Sequence, residues 1–189
     1  MEWLQSGAVP AILSRLKRLC LPGLALILSL AACGQGKAGP PGPAAVIVAR
    51  AGEPTQRVRV FLIAPGDNGR AGHKVGCGDS AVPVEINLPR EEPGLEGSLR
   101  ALLALKERYQ EPSGLSNPLY SSALELVRVE RQGNEARVDL KGYLERGDEC
   151  DNPRILAELQ ETALQFPDVE HVTFYLGGQP LVKVLGGKG

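Results

Sequence analysis

The stretch of sequence that decides the fold runs from Asn152 to Leu181 and reads NPRILAELQETALQFPDVEHVTFYLGGQPL. Its first half repeats apolar residues at the spacing of one helix face, at Ile155, Leu159, Ala163 and Phe166. We expect Asn152 to cap this helix and Pro153 to occupy its first position. Beyond the helix, Glu170–Leu176 has the composition of a strand and ends at the tight turn Gly177-Gly178. The stretch therefore predicts a helix followed directly by a strand.

Upstream of this stretch the chain indicates three further strands and one further helix. An opening strand, Arg57–Ala64, alternates apolar and polar residues. A helix is predicted from Gly94 to Arg108, with a proline near each end. Strands Glu125–Glu130 and Glu135–Leu140 are predicted to form a hairpin, because the connection Arg131–Asn134 contains Gly and Asn, which tolerate positive φ.

Two more segments complete the predicted fold. We expect a long loop from Arg70 to Glu92, with one short extended piece at Ala81–Ile86. A last strand, Leu181–Val184, is expected at a sheet edge, where it would be able to pair with a second copy of the chain. The order β-α-β-β-α-β-β predicts an α+β fold, a single compact domain with two helices packed on a small, mostly antiparallel sheet.

Composition limits the classes of function. The chain has 189 residues, with 21 basic and 22 acidic side chains and a formal net charge of -1. This length fits one domain of ordinary size plus a terminal extension. Proteins that bind nucleic acid neutralise phosphates with clustered Lys and Arg, so the balanced charge argues against that class. With 43% hydrophobic residues the chain is neither a disordered polar chain nor a multi-span membrane protein.

The N-terminus has the features of a lipoprotein signal peptide over residues 1–32. A basic cluster precedes the apolar stretch Leu19–Ala32, which is shorter than the roughly 20 residues that a spanning helix needs. The small residues before Cys33 resemble the bacterial lipobox, at which the signal is cut and the cysteine receives lipid. We expect acylation of Cys33, for example with palmitate, to hold the protein at the extracytoplasmic face of the cell membrane. The alternative is an ordinary cleavage site followed by an incidental cysteine.

The rest of the chain divides into a tether and a domain. Residues 33–56 are rich in Gly and Pro and are predicted to form a flexible tether. Residues 57–186 carry all the predicted helices and strands and are expected to form one domain.

Four pieces of this domain resemble the GerMN domain of bacterial sporulation and spore-germination lipoproteins. The pieces are VRVFLIA (58–64), SLRALLALKERY (98–109), SNPLYSSALELVRVERQGNEARVDLKG (116–142) and the stretch 152–181 quoted above. The resemblance covers about residues 57–186, in one copy where the founding spore protein has two. It implies a non-enzymatic exported module, linked to envelope complexes and germination, with a fold similar to ring-building motifs of secretion-type assemblies. It implies no catalytic residues and no cofactor.

Cys77 and Cys150 are the cysteines inside the predicted domain. Disulfides persist in exported proteins, so we predict that these two cysteines form a bridge. Two alternatives stay open. Together with His73 and His171 they would supply the ligands of a Cys2His2 zinc site, although the four ligands lie in separate segments. His73 also lies four residues from Cys77, as a base beside a nucleophilic thiol would.

Acidic residues and tyrosines are the remaining candidates for a site. Four acidic residues would converge if the bridge forms, and their oxygens suit calcium. They are weak calcium candidates, and the alternative is that they form a solvated acidic rim: Asp79, Asp148, Glu149 and Asp151. Four tyrosines are able to stack on sugars or on a partner chain, or to pack within the domain: Tyr109, Tyr120, Tyr143 and Tyr175.

These features together predict a lipid-anchored, non-catalytic envelope protein that contacts envelope protein complexes or peptidoglycan. A small-ligand or metal-binding lipoprotein is the first alternative and would have a deep polar pocket near the acidic loops. An envelope hydrolase is the second alternative and would need an acid–base pair that converges in the fold.

Overall fold

The computed structural model describes residue 52 and residues 54–186. The predicted signal peptide, the predicted lipid site at Cys33 and nearly all of the predicted tether lie outside the described residues. Within the described part of the chain, no helix is long and apolar enough to cross a membrane.

The first sheet contains five strands, and all neighbouring pairs in it are antiparallel. The strands are β1 (Thr55–Ala64), β2 (His73–Val75), β3 (Asp79–Pro89), β4 (Tyr109–Gln110) and β5 (Leu115–Ser116), in the spatial order β2-β3-β1-β5-β4. β1 pairs with β3 along its whole length. On its other side β1 pairs with β5 only where Ile63 lies opposite Ser116. Most of that edge of β1 is therefore left for another element to cover.

The second sheet contains four strands in chain order. They are β6 (Ala123–Gln132), β7 (Glu135–Tyr143), β8 (His171–Leu176) and β9 (Gln179–Pro180). β6 and β7 form the predicted hairpin, with Gly133 at a φ of 61° in the connecting turn. β7 and β8 are parallel, because α2 (Asp151–Leu164) carries the chain back between them.

The helices join the two sheets through one apolar core. α1 (Gly94–Ala104) and α2 contact each other, and each contacts strands of both sheets. Ile155, Leu159 and Ala163 on the predicted face of α2 are fully buried. Val60 of β1 and Val138 of β7 belong to the same core cluster. The predicted α+β class is confirmed, and the structure distributes the strands over two mostly antiparallel sheets.

The prediction of a strand at Leu181–Val184 is wrong, because this segment forms the short helix α3. A strand would place Lys183 on the same face as Leu181 and Leu185. In the helix, Leu181 and Leu185 are both buried while Lys183 is exposed. The expected edge strand, at which a second copy was to pair, is therefore absent from this segment.

The prediction of a long loop from Arg70 to Glu92 is also wrong. β2 and the eleven-residue β3 occupy most of it, and the expected extended piece Ala81–Ile86 is the middle of β3. β2 pairs with β3 only as far as Ala81, so the remainder of β3 is an edge strand that tolerates Pro83 and Pro89.

The start of α2 differs from the predicted cap. The helix begins at Asp151, one residue before Asn152, and Cys150 is its N-cap residue. The side chain of Asp148 accepts the backbone N–H groups of Cys150 and Asp151, at 2.8 and 3.2 Å. Asp148 therefore satisfies the first donors of the helix, and Asn152 lies inside its first turn.

Candidate functional site

A pocket of about 320 Å³ opens beside the N-terminal end of α2. Its walls come from the β4–β5 hairpin, the segments that follow β5 and β7, and the first turn of α2. The residues that give it chemistry are Arg108, Tyr109, Tyr120, Glu145, Asp151 and Arg154. We call this cavity the tyrosine–arginine pocket.

Arg108 lies against two of the tyrosines that the sequence singled out. The carbon of its guanidinium group is 5.5 Å from the ring centroid of Tyr109 and 5.6 Å from that of Tyr120. Both distances are within the range of cation–π attraction. Among the described residues, no carboxylate lies within 4.0 Å of Arg108. Two rings therefore hold a guanidinium group whose charge no described side chain neutralises.

Asn117 fixes the wall that carries Arg108. Its side chain is 1% exposed and donates to the carbonyl oxygen of Leu105 at 3.0 Å. Its side-chain oxygen accepts the N–H of Leu119 at 2.8 Å, and its own N–H donates to the carbonyl oxygen of Arg108 at 2.9 Å. Because two bonds of the buried side chain and one bond of the backbone N–H all involve Asn117, the segments before and after the β4–β5 hairpin are held together.

Ser122 fixes the wall that carries Glu145. Its buried hydroxyl accepts the N–H of Glu145 at 3.0 Å and donates to the carbonyl oxygen of the same residue at 3.4 Å. The carboxylate of Glu145 accepts the hydroxyl of Tyr143 at 2.7 Å, and this bond raises the pKa of Tyr143. A third tyrosine is thus connected to the same pocket.

Asp79 fixes the wall formed by α2. One oxygen of its buried carboxylate accepts Nε of Arg154 at 2.6 Å, and the other accepts the N–H of Gly66 at 2.8 Å. The bond with Asp79 raises the pKa of Arg154 further above its usual value. Asp151 contacts Arg154 at 3.4 Å and accepts the N–H of Gly147 at 2.7 Å. Each wall of the pocket is therefore tied to the fold by a polar side chain with several partners.

Cys77 and Cys150 form a disulfide in the structure, with their Cα atoms 5.8 Å apart. The bridge joins the turn between β2 and β3 to the N-cap residue of α2. It therefore positions the helix turn that carries Asp151 and Arg154. With both sulfurs bonded to each other, neither is available as a zinc ligand or as a nucleophile.

Three of the four weak calcium candidates are engaged with other partners. Asp79 is paired with Arg154, while Asp148 and Asp151 accept backbone N–H groups at the start of α2. Glu149 is exposed. In the described residues, no three His, Cys, Asp or Glu side chains are grouped so that they could hold a metal ion.

The histidines and Tyr175 lie away from the tyrosine–arginine pocket. His73 contacts Glu161 of α2, with 2.5 Å between Nδ1 and Oε2. His171 and Tyr175 line a second cavity of about 260 Å³ on the outer face of the second sheet. In this cavity the guanidinium of Arg137 lies 3.6 Å from the ring centroid of Tyr175, but it is also paired with Asp139 at 3.0 Å.

Sequence reasoning identified Tyr109 and Tyr120 but missed the residues that make them a site. The adjacent Arg108-Tyr109 pair is a local signal that could have drawn attention to Arg108. Nothing in the sequence near Asn117 or Ser122 indicates that either side chain is buried, since Asn and Ser are mostly exposed.

Comparisons with known proteins give one family and related structures. The family model Germane, described as sporulation and spore germination, matches residues 65–182. The tandem GerMN domains of the sporulation protein GerM from Bacillus subtilis share 16% identity, over 70% of this chain and 44% of theirs, with a TM-score of 0.48. The first GerMN domain of the same protein shares 16% identity, over 66% of this chain and 86% of that one, with a TM-score of 0.43. The chain thus spans less than half the length of the tandem structure. No curated protein matches it.

Proposed function

The chain belongs to the Germane family of sporulation and spore-germination domains, and we propose that it is a lipid-anchored, non-catalytic module that binds the cell wall. The anchor is the acylated Cys33, on the extracytoplasmic side of the membrane. The binding site is the tyrosine–arginine pocket. The ligand that we propose for this site is peptidoglycan.

One observation carries this proposal: the pocket presents a cation and two aromatic rings on walls that are fixed before any ligand arrives. Asn117, Ser122 and Asp79 are each buried and each connect one wall to the backbone or to α2. A preformed pocket with a few convergent polar groups is the usual form of a small-ligand site. The volume of about 320 Å³ suits one polar unit of a polymer, whereas protein partners need a much larger area.

The carboxylates of the pocket favour binding over hydrolysis. Glu145 accepts the hydroxyl of Tyr143, and Asp151 accepts a backbone N–H and contacts Arg154. A general acid or base has to exchange a proton with its substrate, and carboxylates already engaged in this way are poorly prepared for that exchange. They remain suitable as acceptors for N–H and O–H groups of a ligand.

Sedimentation with purified peptidoglycan sacculi tests this function. The full chain, kept in detergent, is expected to pellet with sacculi. When the concentration of sacculi is varied, Arg108→Ala is expected to raise the apparent Kd at least about tenfold, since a charged hydrogen bond contributes about 1.5–3 kcal/mol. Arg137→Ala is the matched control, because Arg137 also stacks on a tyrosine but lies in the second cavity. Failure of the unaltered chain to pellet, or equal losses in both variants, would contradict the proposal.

A further inference from the structure

Arg108 differs from the other arginines that line the two cavities. Arg154 is paired with Asp79 and Asp151, and Arg137 is paired with Asp139. Arg108 is exposed and lies over the rings of Tyr109 and Tyr120, and none of the salt bridges among the described residues includes it. The pocket therefore contains one cation for which the described part of the chain supplies no anion.

The two rings hold this cation without using its hydrogen-bond donors. A guanidinium group stacks on an aromatic ring through its flat face, whereas its N–H groups point outward in the plane of the group. Tyr109 and Tyr120 therefore restrict the rotamers of Arg108 and leave its planar fork of donors available. Such a fork matches the two oxygens of a carboxylate, which it binds through two parallel hydrogen bonds.

The other walls indicate what has to accompany this carboxylate. Glu145 and Asp151 line the same pocket and would repel a ligand that carries several negative charges. Their oxygens would accept N–H groups. A ligand with a single carboxylate beside amide or ammonium N–H groups fits both walls, and the end of a peptide chain has this chemistry.

We infer that Arg108 is the receptor for a free peptide carboxylate. This inference rests on the proposed function and names the part of the wall that is bound, the stem peptide rather than the glycan. A peptide that is not attached to the wall would present the same carboxylate, so the experiment has to separate these two sources.

The test compares a synthetic stem tetrapeptide, in which the C-terminal carboxylate is the only free carboxylate because all others are amidated, with the same peptide ending in an amide. Titration calorimetry with the full chain is expected to show at least about tenfold weaker binding of the amide, since it lacks one charged hydrogen-bond pair. Arg108→Gln is expected to remove this preference. Arg108→Lys keeps the charge but loses the fork, so an intermediate preference is expected. Arg137→Gln should retain the full preference.

The outcomes separate the inference from the proposed function. If the chain pellets with sacculi but binds acid and amide peptides equally, the carboxylate receptor is overturned while the cell-wall function stands. If the acid peptide binds with the expected preference but sacculi are not bound, the receptor stands and its ligand is a free peptide. Binding of neither overturns both. An unchanged preference in Arg108→Gln also overturns the receptor.

Discussion

At the scale of single residues, most buried polar side chains of the described residues have hydrogen-bond partners, and the carboxyl group of Glu158 is an exception. Asn117, Ser122 and Asp79 each make two or more hydrogen bonds that hold the walls of the pocket. Glu158 of α2 is fully buried, and neither oxygen of its carboxyl group has a hydrogen-bond partner among the described residues. Burial, followed by the charge of Asp151, raises the pKa of Glu158 well above its ordinary value of 4.5. The domain therefore contains one carboxyl group that its own fold disfavours in the ionised form.

Replacing Glu158 with methionine should stabilise the protein, and more so at higher pH. Because the pKa of this carboxyl is raised in the folded state, its ionisation costs no folding stability below pH 4.5, and the cost grows as the pH rises from there towards the folded pKa. Methionine has a similar shape without a polar atom. We expect Glu158→Met to raise the free energy of unfolding by about 1–3 kcal/mol at pH 8, as removal of an unsatisfied buried group should.

Urea unfolding of both proteins between pH 4 and pH 8 measures this difference. The control is Glu107→Met, because Glu107 is exposed and its change should alter stability equally little at every pH. The difference in the free energy of unfolding between Glu158→Met and the unaltered chain should widen as the pH rises. If it stays constant or narrows, ionisation of Glu158 does not destabilise the fold.

At the scale of secondary-structure elements, α2 covers one edge of β1. Along most of its length this edge has no neighbouring strand. The Thr162 hydroxyl accepts the N–H of Phe61 at 3.0 Å. The side-chain amide of Gln165 accepts the N–H of Arg59 at 2.7 Å and donates to its carbonyl oxygen at 2.5 Å. The side chains of Thr162 in α2 and of its C-cap residue Gln165 thus take the place of a neighbouring strand, which protects this edge from pairing with other chains.

Removing the hydroxyl of Thr162 should weaken this edge specifically. Thr162→Val keeps the volume of the side chain but leaves the buried N–H of Phe61 without an acceptor, at a cost of about 1–3 kcal/mol. Amide hydrogen exchange is expected to accelerate at Phe61. Thr162→Ser is the matched control, since it keeps the hydroxyl and loses one methyl group, so exchange at Phe61 should stay slow. Unchanged exchange at Phe61 in the valine variant would refute this role of α2.

The elements that local patterns describe well could be predicted from the sequence. The apolar face of α2 and the β6–β7 hairpin follow from periodicity and turn residues, and the structure places both close to the expected bounds. Leu181–Val184 could not be assigned by the same means, because four residues do not distinguish a strand from a helix until the partners of Leu181 are known. The contact between Arg108 and Tyr120 could not be predicted either, because the β4–β5 hairpin separates the two residues in the sequence.

At the scale of the whole molecule, the tyrosine–arginine pocket depends on segments that are far apart in the chain. One cavity is lined by Pro65, which follows β1, by Arg108, which precedes the β4–β5 hairpin, and by Arg154 in α2. The disulfide closes a separation of 73 residues and holds the first turn of α2 against the β2–β3 turn. The pocket thus exists only when both sheets and α2 are in place.

Removing the disulfide should lower the stability of the whole domain. A loop of 73 residues corresponds to about 4 kcal/mol in the chain-entropy model, since the bridge restricts the unfolded chain. The double variant Cys77→Ala/Cys150→Ala avoids leaving a single thiol and should lose about this amount in urea unfolding, with a steeper dependence on urea because its unfolded state exposes more surface. Reductant should lower the free energy of unfolding of the unaltered chain by the same amount and leave that of the double variant unchanged. A midpoint of the unaltered chain that reductant does not move would mean that the bridge contributes nothing to its stability.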